Sequence, residues 1–135
     1  MTRLWLVPAL LAALVAPSCY GQHRTKFTIR TQATESRNGS ASSISAVAQV
    51  VEPVAVGLGF QSTELSAERA HWRVSEEWHQ IDIDVKESNG AIVVLVVDGH
   101  SGVGWWPATH YRAACAQLGS QLRAQFGEAS VTTDV

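Results

Sequence analysis

The 135-residue chain has little sulfur, little charge and no apolar run long enough to span a bilayer. Its two cysteines, Cys19 and Cys115, cannot supply the framework of a disulfide-stapled scaffold. Asp, Glu, Lys and Arg make up only 16% of the residues and leave a formal net charge of −2. With no basic tract and no acidic tail, the electrostatic footprint of a nucleic-acid binder is missing. The uncharged run from Leu4 to Val15 would form a helix of about 18 Å. That is well short of a hydrocarbon core of roughly 30 Å, so no permanent transmembrane span is expected.

The motifs of several chemistries are also missing. Five histidines are present (His23, His71, His79, His100 and His110), but none has the spacing of His-Glu-x-x-His and no cysteine adjoins them. Most read as surface residues, so no metal and no cofactor is expected. No G-x-x-x-x-G-K phosphate loop occurs. Ser101 follows His100 in sequence, which says nothing about the geometry a catalytic triad needs. Asp82 and Asp84, two apart, read as the solvated side of an edge strand rather than as an acid–base pair. Cys115 falls on a buried helical stripe, where burial would raise its pKa and leave it inert. No enzyme is expected.

What the sequence does contain begins with an N-terminal targeting pattern. Arg3 supplies a positive charge, Leu4–Val15 is apolar, and Ala16-Pro17-Ser18 places small residues before Cys19. The segment resembles the lipobox of exported bacterial lipoproteins, with Ala16 and Pro17 departing from its usual pattern. The resemblance implies a signal peptide over residues 1–18, removed on export, and Cys19 as the lipid-accepting first residue of the mature chain. It also implies a palmitate-bearing anchor on the outer membrane facing the periplasm, because Tyr20 rather than Asp follows the cysteine. Cleavage without lipidation would instead release a soluble periplasmic or secreted protein. Residues 19–25 read as a tether.

The remainder, 26–135, has a composition rich enough in apolar residues (46% over the whole chain) for a single globular α+β domain. Lys26–Thr31 alternates polar and apolar as a strand. Ile44, Val47, Val51, Val54 and Leu58 form a helical stripe, which Pro53 should kink or split. Residues 60–78 give no single reading. His79–Lys86 alternates strictly and Ala91–Val97 is continuously apolar. Asn89-Gly90 between them is the preferred type I′ hairpin turn. That turn sets Ser88 opposite Ala91 and Val85 opposite Val94, with Ile81, Ile83, Val85, Val94 and Val96 facing the core. Tyr111, Cys115, Leu118, Leu122 and Phe126 form a second helical stripe after Pro107, and 129–135 can add a last strand.

The resulting order, β-α-β-β-α-β, predicts a ferredoxin-like fold: a four-stranded antiparallel sheet with two helices on one face. Acylphosphatases share that order, but their phosphate-binding loop has no counterpart here. Such a fold would leave Val93, Leu95 and Val97 on the bare side of the sheet. They suggest a non-enzymatic interaction module of the cell envelope, binding an envelope protein or a second copy of itself. The alternative is a periplasmic small-ligand or metal-binding protein using the Gly-rich loop 98–106, with His100, Ser101, Trp105 and Trp106 as candidate contacts.

Overall fold

A computed structural model of the protein describes residues 20–33, 43–101 and 106–135. The expected signal peptide, Cys19 and Trp105 lie outside the described residues. The elements run β1 (Tyr20–Arg30), α1 (Ser43–Gly57), β2 (Gln61–Leu65), β3 (Arg69–Glu76), β4 (His79–Ser88), β5 (Ala91–Ser101), α2 (Thr109–Phe126) and β6 (Val131–Asp134). The strands form one antiparallel sheet in the order β2-β3-β4-β5-β1-β6.

This overturns the four-stranded ferredoxin-like expectation, because the sheet has six strands. The extra pair is β2–β3, formed by the stretch 60–78 that gave no clear pattern. β2 is exposed at every position and so carries no alternation to read. β4 is consequently an interior strand and not an edge. Asp82 and Asp84 are not a solvated border either. Arg73 Nε donates to Asp82 at 2.7 Å and Arg69 Nε to Asp84 at 2.8 Å, both from β3.

The Asn89-Gly90 reversal fixes the β4–β5 hairpin. Both residues have positive φ, 51° and 77°, and Ser88 faces Ala91. A one-residue slip would turn every core side chain outward, so this turn orients the whole sheet. Ile81, Ile83 and Val85 of β4, Ile92, Val94 and Val96 of β5, and Phe27 and Ile29 of β1 form one buried cluster with both helices. Trp72 of β3 joins it fully buried.

α1 buries Ile44, Val47, Val50, Val51 and Val54. Pro53 does not split it, because Pro53 is on the exposed face and the helix runs on to Gly57. It ends in a Schellman closure. Phe60 N–H bonds to Ala55 C=O at 2.9 Å and Gly59 N–H to Val56 C=O at 3.0 Å. Gly59 takes the left-handed conformation this requires (φ 88°). α2 presents Tyr111, Ala114, Leu118, Leu122 and Phe126 to the core, and the two helices also pack on one another. No helix among the described residues is long and apolar enough to cross a membrane.

β1 begins at Tyr20, six residues before the expected strand. Residues 20–25 are therefore not a tether, since they pair with Val96 to Ser101 of β5. The pairing extends β5 as well, and carries Asp98, Gly99, His100 and Ser101 out of the expected loop and into the sheet.

Candidate functional site

At the end of the sheet reached by these extensions, the core-facing row changes from aliphatic to polar. The register builds the row residue by residue. His23 of β1 lies opposite Asp98 of β5, and Gly21 lies opposite His100. His79 of β4 lies opposite His100, and Glu76 of β3 lies opposite His79. Facing residues of an antiparallel pair project on the same side, so four strands deliver these groups to one place. The imidazoles of His23 and His79 each sit 5.2 Å, centroid to centroid, from that of His100. Gly21 makes the closeness possible: a Cβ on it would meet His100 Nε2 at 2.2 Å.

Asp98 anchors the cluster. It is 0% exposed, a position in which an unpaired carboxylate would be prohibitively costly. His79 donates from Nδ1 to Oδ1 at 2.7 Å, and the Ala108 backbone N–H donates to Oδ2 at 2.9 Å. Ala108 is the N-cap of α2 and no side chain of its own caps the helix. Glu76 takes a second free amide there, accepting from His110 N–H at 3.2 Å and pairing with His110 Nδ1 at 3.0 Å. Carboxylates from two strands thus satisfy the start of α2, where the helix dipole favours negative charge. Burial alone would push Glu76 up, but the bonds and charge of His110, with His79 behind it, hold its carboxyl below the usual range.

Not every polar group here is satisfied. The Nε2 of His23 and the Nδ1 of His100 are buried without a hydrogen-bond partner among the described residues. Asp98 and one ring nitrogen from each of these histidines lie within 4.8 Å of one another. Imidazole and carboxylate are ligands for borderline divalent transition ions. Beside the cluster, Thr25 Oγ1 and Tyr111 OH are 2.6 Å apart. Burial raises the pKa of Tyr111, and also that of Cys115, which is half-buried one turn along α2.

A second feature lies around the same sheet end. A cleft of about 480 Å³ is lined by Gln22, Ser75, Trp78, Gln80, Asp82 and Ser101, with Val97 and Gly99 and, from the neighbouring cluster, His79 and His100 also contributing. Trp78 is 71% exposed. It occupies the two-residue β3–β4 turn with Glu77, which is held at φ 48° without being glycine. Ser101 N–H bonds the Trp78 carbonyl at 3.0 Å and ties the turn to β5.

The expected contacts are thus partly brought together. His100 and Ser101 stand at this end, but Trp106 is 63% exposed on the far side of the segment that lies outside the described residues. Val93, Leu95 and Val97 do face away from the helices, as the hairpin register requires. Val93 is only 7% exposed, however, and Leu95 and Val97 are half-buried. Lys86, Asp84 and Asp82 flank them on β4, and Thr28, Lys26 and Arg24 on β1. The reading of the histidines as surface residues is corrected. His71 and His100 are buried, and His23, His79 and His110 are partly so. Sequence pattern did not single out Asp98, Glu76 or Trp78 as contacts. The available signal was the hairpin register, which, carried past Val97, sets His79 against His100.

No family model matches the sequence, and no curated protein matches it. Among solved structures the chain is similar to the vertebrate conserved region of human METTL16. The TM-score is 0.52 with 14% sequence identity, over 78% of this chain and 99% of that one. At that identity the likeness is one of fold.

Proposed function

We infer that this domain is a non-enzymatic binding module that takes a small polar ligand with one flat face in the Trp78 cleft. The observation that carries the reading is Trp78 itself. A large indole left mostly in water, beside a cleft of amides, hydroxyls and a carboxylate, offers a stacking platform with hydrogen-bonding groups around it. The turn that holds it outward keeps Glu77 in the left-handed region, at a cost of roughly 1–3 kcal/mol for such outliers. Gly99 adds no side chain to the floor. Gln22, Ser75, Gln80 and Ser101 supply donors and acceptors from three strands and the turn-proximal end of β5. This develops the small-ligand expectation for the 98–106 region, with Trp78 as the indole at the cleft and Trp106 away from it among the described residues. A protein partner across Val93, Leu95 and Val97 has less apolar area to work with, since Val93 is already covered.

The test is a titration followed through the tryptophan indole N–H resonances, which report each Trp separately. Neutral mono- and disaccharides form one arm, and aromatic heterocycles such as nucleosides the other. Saturable movement of the Trp78 signal, lost in Gln80→Ala and accompanied by the Gly99 amide, is expected in one arm. A Trp78 resonance unmoved by either class would overturn the reading.

A further inference from the structure

The geometry points to a divalent transition-metal site formed by His23, Asp98 and His100, on the core side of the sheet end. It goes beyond the ligand cleft, which His100 also borders, and stands on separate observations.

The first is an unsatisfied buried group. His100 is 8% exposed and its Nδ1 has no hydrogen-bond partner among the described residues, and the same is true of the buried Nε2 of His23. A buried polar atom left unpaired has given up its hydrogen bond to water and gained nothing in return. Two on stacked rings, in residues grouped around a fully buried carboxylate, are better explained by an ion that accepts nitrogen lone pairs.

The second observation is the donor set. Two neutral imidazoles and one carboxylate form a three-ligand set that leaves a fourth tetrahedral position open, as borderline ions such as Zn²⁺, Co²⁺ or Ni²⁺ accept. Hard ions are disfavoured, because Mg²⁺ and Ca²⁺ want a shell of oxygens and only one carboxylate is offered. The three ligand atoms lie within 4.8 Å of one another, and ligands at about 2.0–2.2 Å from a shared ion come this near.

The third is the supporting layer. Asp98 is already oriented, through Oδ1 by His79 and through Oδ2 by the Ala108 amide. Each carboxylate oxygen has two lone pairs, so both bonds persist while one oxygen also ligates. A histidine that donates to a ligating carboxylate is the kind of outer-shell partner that fixes ligand geometry. Gly21 completes the arrangement by admitting the His100 ring against β1.

The purified protein, stripped with chelator and desalted, is titrated with Zn²⁺ by calorimetry, with Mg²⁺ and Ca²⁺ as controls. One equivalent of Zn²⁺ and no Mg²⁺ or Ca²⁺ should bind. His100→Ala and His23→Gln should each weaken Zn²⁺ roughly tenfold or more, whereas His71→Ala, on the opposite face, should bind as the parent does. Should either ligand variant fail to fold, the imidazole C–H resonances of the parent decide instead. Zn²⁺ must shift those of His23 and His100. Absence of stoichiometric Zn²⁺ binding would overturn the site, as would shifts confined to His71 or His110. Trp78→Ala should leave Zn²⁺ binding intact, so failure of the metal site and failure of the cleft are separable.

Discussion

Gly21 shows how much a single missing side chain can decide. It is the second residue of β1, within a strand pairing where glycine loses packing and conformational entropy. Its value is the space it leaves to His100, because a Cβ there would lie 2.2 Å from the imidazole Nε2. Gly21→Ala should therefore push the ring off its stack on His23 and away from His79. Overpacking of this kind costs about 1–3 kcal/mol, which urea unfolding would show as a lower midpoint with unchanged slope. The companion change His100→Ala should remove the clash, so the double variant should lose less than the sum of the two single changes. Simple additivity would mean that the ring and the glycine do not compete for that space.

At the scale of the element, α2 depends on carboxylates that belong to the sheet. Asp98→Ala leaves both the Ala108 amide and the His79 Nδ1 without a partner, at about 1–3 kcal/mol each. Asp98→Asn retains a carbonyl oxygen for the amide and should be the milder change. A denaturation series comparing the two should show that order, and the reverse would remove Asp98 from the helix start. Glu76 makes a pH-dependent contribution of defined sign. Its folded-state pKa is lowered, so the unfolded chain takes up the proton first as acid is added. The stabilisation is present above the ordinary carboxylate value of about 4.3 and is lost as pH falls through the lowered one. Thermal melts of the parent and Glu76→Gln should differ at neutral pH and converge in that acidic window. The difference should be small, since the Glu76 side chain is 25% exposed. A gap that widened toward low pH would contradict the assignment.

For the molecule as a whole, what could be read in the sequence was what repeats locally. The Asn89-Gly90 turn, the two helical stripes and the inward set of Ile81, Ile83 and Val85 all follow from periods of 2 or 3.6 that neighbouring residues declare. The β2–β3 hairpin did not, because β2 is exposed throughout and the β3–β4 turn is built from Glu77 and Trp78 rather than glycine or asparagine. The polar cluster was hidden for a different reason. Its members come from four strands and meet only through pairing, and Asp98 and His100 follow an apolar run with Gly residues nearby, which reads as a loop. The register already implied by Asn89-Gly90 would have faced His79 with His100. Carrying that pairing beyond the apolar residues is what the sequence reading lacked.

The Gly21–His100 contact also supplies a fingerprint for finding relatives that share no overall sequence similarity. A strand reading Gly-x-His, whose antiparallel neighbour later in the chain reads Asp-x-His, can place two imidazoles and a carboxylate together only if the glycine stands across from the second histidine. Genomes can be screened for that paired spelling. Chains that keep the histidines but fill the glycine position should have abandoned whatever the imidazoles hold.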